Sequence, residues 1–151
     1  MFIHEYDLSV EQHLEDFLSE VTVKGVALDS SAVFTFCLNP GLTIHSVHSA
    51  GQQLKFKRDK QIVLVDFGTK HAKGDTISAT FRYDGQIDNS FCYLDIPPEV
   101  LQASNKKFLF NIDKQYSFQT KNYLMLTPET YWYPRAGTSY SDKNPDWQQT
   151  Y

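Results

Sequence analysis

The first ten residues alternate in character. Phe2, His4, Tyr6, Leu8 and Val10 fall on one side, and Ile3, Glu5, Asp7 and Ser9 on the other. Successive side chains of a strand point to opposite faces, so a period of two over this length predicts a half-buried strand. Residues 13–23 carry two patterns at once. Leu14, Phe17, Leu18 and Val21 fit a helical stripe, while Phe17, Ser19, Val21 and Val23 fit one face of a strand. The Val-Thr-Val close and the strand-rich surroundings predict a strand over 16–24, ended by Gly25 and by Asp29-Ser30-Ser31.

From 32 to 83 the chain is a series of short extended runs with turn signals between them. The runs are 32–38, 42–48, 54–57, 61–67 and 76–83; the signals are Pro40-Gly41, Gly51, Asp59-Lys60 and Gly74-Asp75. In the first run Ala32, Phe34, Phe36 and Leu38 oppose Val33, Thr35 and Cys37. Both faces are mostly apolar, which predicts a central strand covered on both sides. The stretch 62–67 is nearly all apolar and reads as a buried strand. Leu42 and Ile44 share a face but Val47 breaks the phase, which predicts a bulge near Ser46. Ile77, Ala79, Phe81 and Tyr83 alternate with Ser78, Thr80 and Arg82, so one face of that strand is wet.

The second half is less regular. Asp84-Gly85 is a turn, and 91–95 is a short aromatic run. Pro97-Pro98-Glu99 opens one short helical segment near 98–104. Phe108, Phe110 and Ile112 alternate, as do Tyr116 and Phe118, and 123–127 is a further strand candidate. The pattern therefore predicts an all-β fold, either an antiparallel β-sandwich or a curved saddle-like sheet, over residues 1–134. Residues 135–151 are polar and read as a tail or a linker toward a following domain.

Composition narrows the function classes. A chain of 151 residues is most simply one domain, and at that length it buries roughly 68–70% of its unfolded surface. With 14 Lys+Arg against 18 Asp+Glu the formal charge is −4, which argues against nucleic acid as a partner. There is no run of about 18 apolar residues, so no direct membrane insertion by this segment is expected. The N-terminus lacks the basic and apolar regions of a signal peptide. The 11 Phe and 9 Tyr suit strands.

No catalytic constellation stands complete. His4-Glu5 begins a His-Glu-x-x-His pattern, but Leu8 occupies the second histidine position and the segment reads as a strand, not the helix that motif needs. His45 and His48 are three apart, which on a regular strand places them on opposite faces; only a bulge would realign them. Asp84, Asp88 and Asp95 lie in or near loops, where paired carboxylates serve glycoside hydrolysis but solvated aspartates are the ordinary case. Ser90 and Ser141 lack the Gly-x-Ser-x-Gly elbow, and there is no Gly-rich phosphate loop. Cys37 and Cys92 read most simply as buried free thiols, with a disulfide as the alternative. The cluster Tyr131-Trp132-Tyr133, with Trp147 in the polar tail, is a set of candidate binding or packing aromatics. Large rings mostly supply buried area, which favours packing for Trp132 and surface contact for Trp147.

The ordered series Tyr6-Asp7-Leu8, Leu38-Asn39-Pro40-Gly41-Leu42-Thr43-Ile44-His45-Ser46-Val47, Gly51-Gln52, Lys57-Arg58-Asp59, Ile62-Val63-Leu64, Gly74-Asp75-Thr76-Ile77 and Tyr83-Asp84-Gly85 resembles the N-terminal β domain of M1-type zinc aminopeptidases. Leu124-x-Leu126-x-Pro128-Glu129-x-x-Trp132-Tyr133-Pro134 looks like the variant joined to a bacterial ABC-type permease. The resemblance implies a non-catalytic domain that packs beside a peptidase domain of the same polypeptide and helps wall its substrate entrance. Its partners would be that domain and a peptide substrate, with any zinc held by a downstream domain and with an extracytoplasmic location. The family's zinc motif and its Gly-x-Met-Glu-Asn loop do not occur here, and Trp-Tyr-Pro stands in place of its Phe-Pro-Cys-x-Asp, so no catalytic residue carries over. The rival expectation is a stand-alone carbohydrate- or protein-binding β-sandwich module.

Overall fold

The computed structural model describes residues 1–13, 16–91 and 117–137. The strands are β1 (Phe2–His13), β2 (Asp16–Val26), β3 (Ser31–Cys37), β4 (Leu42–Ser49), β5 (Gln52–Gln53), β6 (Lys55–Asp59), β7 (Ile62–His71), β8 (Thr76–Gly85), β9 (Ser117–Thr120), β10 (Tyr123–Leu126) and β11 (Arg135–Ala136). Two 3-10 turns, Asn89–Phe91 and Pro128–Thr130, are the helical elements among the described residues. The helical segment expected near 98–104 lies outside them.

The strands form a five-stranded sheet in the order β1-β2-β8-β4-β5, a four-stranded sheet in the order β11-β3-β7-β6, and the hairpin β9-β10. Every pairing is antiparallel. The all-β expectation is met. The two larger sheets lie face to face over one core that takes Phe17, Val21, Val23, Val47, Ile77, Ala79, Phe81 and Tyr83 from the first and Phe34, Phe36, Val63 and Val65 from the second. Phe36 and Phe81 meet across the sheets edge to face, with ring centroids 4.9 Å apart. That geometry suits the quadrupoles of the two rings.

The alternation read from the sequence places these residues correctly. In β2 Phe17, Ser19, Val21 and Val23 are all buried, so the strand reading of that ambiguous segment is the right one. The phase break in β4 is a bulge: register shifts between Ile44 and Ser46, opposite Tyr83 and Arg82, which leaves His45 as the extra residue. Leu42, Ile44 and Val47 thereby all face the core.

Two expectations of full coverage fail. Val33 is 45% exposed and Leu64 40%, so the outer face of the four-stranded sheet is open where β3 and β7 were expected to be covered on both sides. The side chains are apolar, but whether anything lies over them is decided by the rest of the fold. At the other edge Leu8 and Val10 pair with Val21 and Ser19 yet remain 45% and 39% exposed. From β1 it is Met1, Ile3 and Tyr6 that pack against the core. At the far end the chain stays in register through β11, whose Arg135 and Ala136 pair with Cys37 and Phe36.

Candidate functional site

Polar contacts concentrate where the turn after β3 meets the loop before β11. Asn39 is fully buried there. Its Nδ2 donates to the carbonyls of Asp88 (3.1 Å) and Thr130 (2.9 Å), and its Oδ1 accepts from the backbone N–H of Gly41 and of Asp88, both at 2.9 Å. Its own backbone N–H donates to the Tyr131 carbonyl at 2.8 Å. One amide thus fills its hydrogen-bonding capacity against its own turn, at Gly41, and two segments distant in sequence, at Asp88 and Thr130. Gly41 is required at this crossing. A Cβ there would collide with the Gln86 carbonyl and lie 2.8 Å from the Asp88 nitrogen.

Arg58 of β6 closes the same turn from the other side. Its Nη2 donates to the carbonyl of Asn39 at 2.6 Å and of Leu38 at 3.3 Å, its Nη1 to that of Leu42, and its Nε to that of Lys60 at 2.7 Å. Burial holds its pKa below the usual value for a guanidinium. From β8 the Tyr83 hydroxyl donates to the Trp132 carbonyl at 2.8 Å, and burial raises its pKa. The chemistry of this knot is that of a clasp: the Asn39 amide and the Arg58 guanidinium are spent on backbone groups of the fold, while Thr127 Oγ1 at the start of the clasped loop is buried without a partner.

The candidate aromatics sit on the clasped loop. Trp132 and Tyr133 are half-buried and pack against the core. Tyr133 meets Trp132 edge to face at 5.0 Å and Tyr6 at 5.1 Å. Burial, with the Tyr133 phenol a smaller contribution, pushes the Tyr6 hydroxyl up to about 12. Tyr131 holds a left-handed backbone, φ 52°, and the Arg135 guanidinium lies 5.4 Å from its ring centre. Trp147, with Tyr140 and Tyr151, falls outside the described residues.

The titratable candidates scatter, with one exception. The bulge turns both His45 and His48 to the outer face, but His45 Nε2 pairs with Asp84 Oδ2 at 3.0 Å, while His48 sits opposite Thr80. The side chains of His45 and Asp84 are 46% and 48% exposed, which makes the pair a solvated one. Asp84→Asn is therefore expected to lower stability by less than about 1 kcal/mol in urea titration; a larger loss would mean that the pair is held in place by more than contact with its partner. His4 is exposed on β1, and Ser90 lies in the turn Asn89–Phe91. Asp95, Ser141 and Cys92 lie outside the described residues. Cys37 is a buried free cysteine whose thiol is pushed up to about 12 by burial, far from the range of a nucleophile. Among the described residues no three His, Cys, Asp or Glu side chains come together as a metal site. They do not fit the zinc of an aminopeptidase.

Solved structures supply the likeness. A two-domain M1 zinc metallopeptidase mutant bound to L-tryptophan superposes with a TM-score of 0.55 at 20% identity, over 59% of this chain and 21% of that one. The M1 zinc metallopeptidase from Deinococcus radiodurans gives 0.54 at 19%, over 60% and 22%. A mutant of the Deinococcus radiodurans enzyme bound to a Tyr-Ser-Ala substrate gives 0.54 at 19%, over 58% and 21%. The fold is shared with part of the M1 zinc metallopeptidases. At this identity the likeness is one of fold, and the matched part spans about a fifth of the length of those chains. No protein-family model and no curated protein matches the sequence.

The Asn39 clasp was missed in the sequence, where Asn-Pro-Gly reads only as a turn. Its partners are 49 and 91 residues away, and no local pattern encodes such a contact. The available signal was the pair Gly41 and Gly85. A Cβ on Gly85, at φ +129°, would lie 2.6 Å from the Gly41 carbonyl oxygen, so the two glycines mark a close backbone crossing.

Proposed function

We propose that this chain is the non-catalytic N-terminal β domain of a larger M1 aminopeptidase-like protein, where it supports the peptidase domain and helps wall its substrate entrance. The observation that carries this reading is the disproportion of the fold match: 59% of this chain coincides with only 21% of a two-domain zinc metallopeptidase. A β domain joined to a catalytic domain accounts for that ratio. Zinc would then belong to the adjacent domain, and peptides would be the parent's substrates. The motif series around Leu124, Pro128 and Trp132-Tyr133-Pro134 supports extending the reading to a bacterial membrane protein linked to an ABC-type permease, with this domain on the extracytoplasmic side.

Sequencing the gene across both ends of these codons tests it. The expected result is a reading frame that continues past Tyr151 into a His-Glu-x-x-His helix. A native start at Met1 with a stop codon directly after Tyr151 would overturn it. A second reading, a stand-alone carbohydrate- or protein-binding module, draws support from the half-buried Tyr131 ring beside the Arg135 guanidinium. Tryptophan fluorescence titrated with a panel of oligosaccharides tests its carbohydrate form, and a flat response would remove that form.

A further inference from the structure

Among the described residues the four-stranded sheet ends on β6, and all five residues of β6 pair with β7 without a register break. One backbone edge of a regular strand therefore faces away from its sheet. The side chains of β6 divide by face: Lys55, Lys57 and Asp59 are exposed on the outer face, and Phe56 and Arg58 are half-buried on the inner one. Two hollows flank this edge. One of about 770 Å³ lies against Lys55 and Lys57 and is floored by Val33 and Leu64, the apolar residues left uncovered on the outer face. The other, of about 420 Å³, lies between β6 and the start of β4, against Leu42 and Ile44. Phe56 lines both.

Charge in this trough has one prevailing sign. Lys55, Lys57, Arg58 and Lys60 line it against Asp66, with Asp59 following Lys57 on the outer face of β6. The Arg58 guanidinium is committed to backbone carbonyls. Among the described residues Lys55 and Lys57 make no ion pair, although Asp66 stands opposite Lys55 in register. Two unpaired ammonium groups two residues apart on one strand face repeat at the spacing of alternate residues on a partner strand.

We propose that the open edge of β6 is a strand-addition site for an extended peptide carrying acidic residues at alternate positions. The peptide backbone would continue the sheet ladder beyond β6. Its acidic side chains would stand opposite Lys55 and Lys57, at the roughly 4.5–5.5 Å Cβ separation of directly facing pairs. The residue between them would fall on the inner face, against Phe56. Lysines on an edge strand are a common guard against indiscriminate pairing. Here the guard is selective, because it repels a basic strand and is neutralised by an acidic one. This inference goes beyond the reading of the chain as a supporting domain and stands whether or not that reading holds.

The test uses the full chain and a fluorescein-labelled heptapeptide alternating glutamate and valine, read by anisotropy. Saturable binding is expected, with the Lys55→Glu/Lys57→Glu double variant and a lysine–valine peptide each at least about tenfold weaker, since charge complementarity selects the partner. Both lysines are exposed, so the variant should keep the parent's circular dichroism spectrum and melting midpoint. A glutamate peptide of equal charge with proline at the alternate positions lacks the N–H groups for the ladder and is expected not to bind. Absence of saturable binding to the parent chain, equal binding to the double variant, or equal binding of the proline peptide would each overturn the proposal. The last result would show simple charge attraction.

Discussion

Asn39→Ala should destabilise the folded chain by roughly 3–5 kcal/mol, the largest effect expected from any single polar residue described. The substitution leaves the N–H groups of Gly41 and Asp88 and the carbonyls of Asp88 and Thr130 without their partner, in a place where Asn39 itself is fully buried. Each buried group left unmatched costs about 1–3 kcal/mol, far more than the net value of the bond it made. Asn39→Asp distinguishes a clasp that needs both donor and acceptor from one that needs only the acceptor. Aspartate keeps the oxygen that accepts from Gly41 and Asp88 but turns a second one toward the two carbonyls. Burial and those carbonyls would raise its folded-state pKa above the unfolded value of about 3.9. Such a group contributes stability in its protonated form, fully present below the unfolded pKa and lost as pH rises through the folded one. The aspartate variant should therefore fall further below the parent at pH 7 than at pH 4. Urea midpoints of the three proteins at the two pH values decide the matter. An alanine variant within about 1 kcal/mol of the parent would show that other contacts hold the 127–134 loop.

Phe36→Ala is expected to cost about 3–5 kcal/mol, because a buried aromatic removed from a close-packed core leaves a cavity its neighbours only partly fill. Phe36 is fully buried, and it carries the edge-to-face contact with Phe81 that joins the two sheets. Phe81→Ala should cost a similar amount, and the double variant less than the sum of the two, since both open the same space. Calorimetric melting of the three variants measures this. Strict additivity would mean that the rings stabilise their own sheets independently and that the sheet-to-sheet contact is incidental. If the chain supports a catalytic domain, these are also the substitutions that would disable that support without touching any surface.

The strands were legible because their cause is local. Period-two alternation is a property of strand geometry and appears wherever one face of a strand is buried. It placed Phe17, Val21, Val23, Ile77, Ala79 and Phe81 on the core face, and the phase break at Val47 marked the bulge that frees His45. Pro40-Gly41 and Asp59-Lys60 likewise marked turns, because glycine, proline and Lys60, at φ 49°, act on their own backbone.

Coverage was another matter. Val33 and Leu64 carry the same local signal as buried neighbours, yet they lie on an outer face that no described element covers. Hydrophobicity states what a residue gains if it is covered, and only the arrangement of the layers states whether it is. The candidate sites depended on tertiary structure in the same way. His45 and Asp84 meet because β4 pairs with β8, although β5, β6 and β7 intervene in sequence.

By itself, then, the sequence determined an all-β chain, most of its strands and turns, and the inward faces of those strands. The tertiary structure alone decided the sheet order, the clasp of Asn39 on the 127–134 loop with Arg58 closing the 38–42 turn, and, among the described residues, the open edge at β6. The physical reason is range. A side chain's alternation and a turn's dihedral angles are set within a few residues, whereas a buried amide reaching carbonyls 49 and 91 positions away is satisfied only after the whole chain has closed around it.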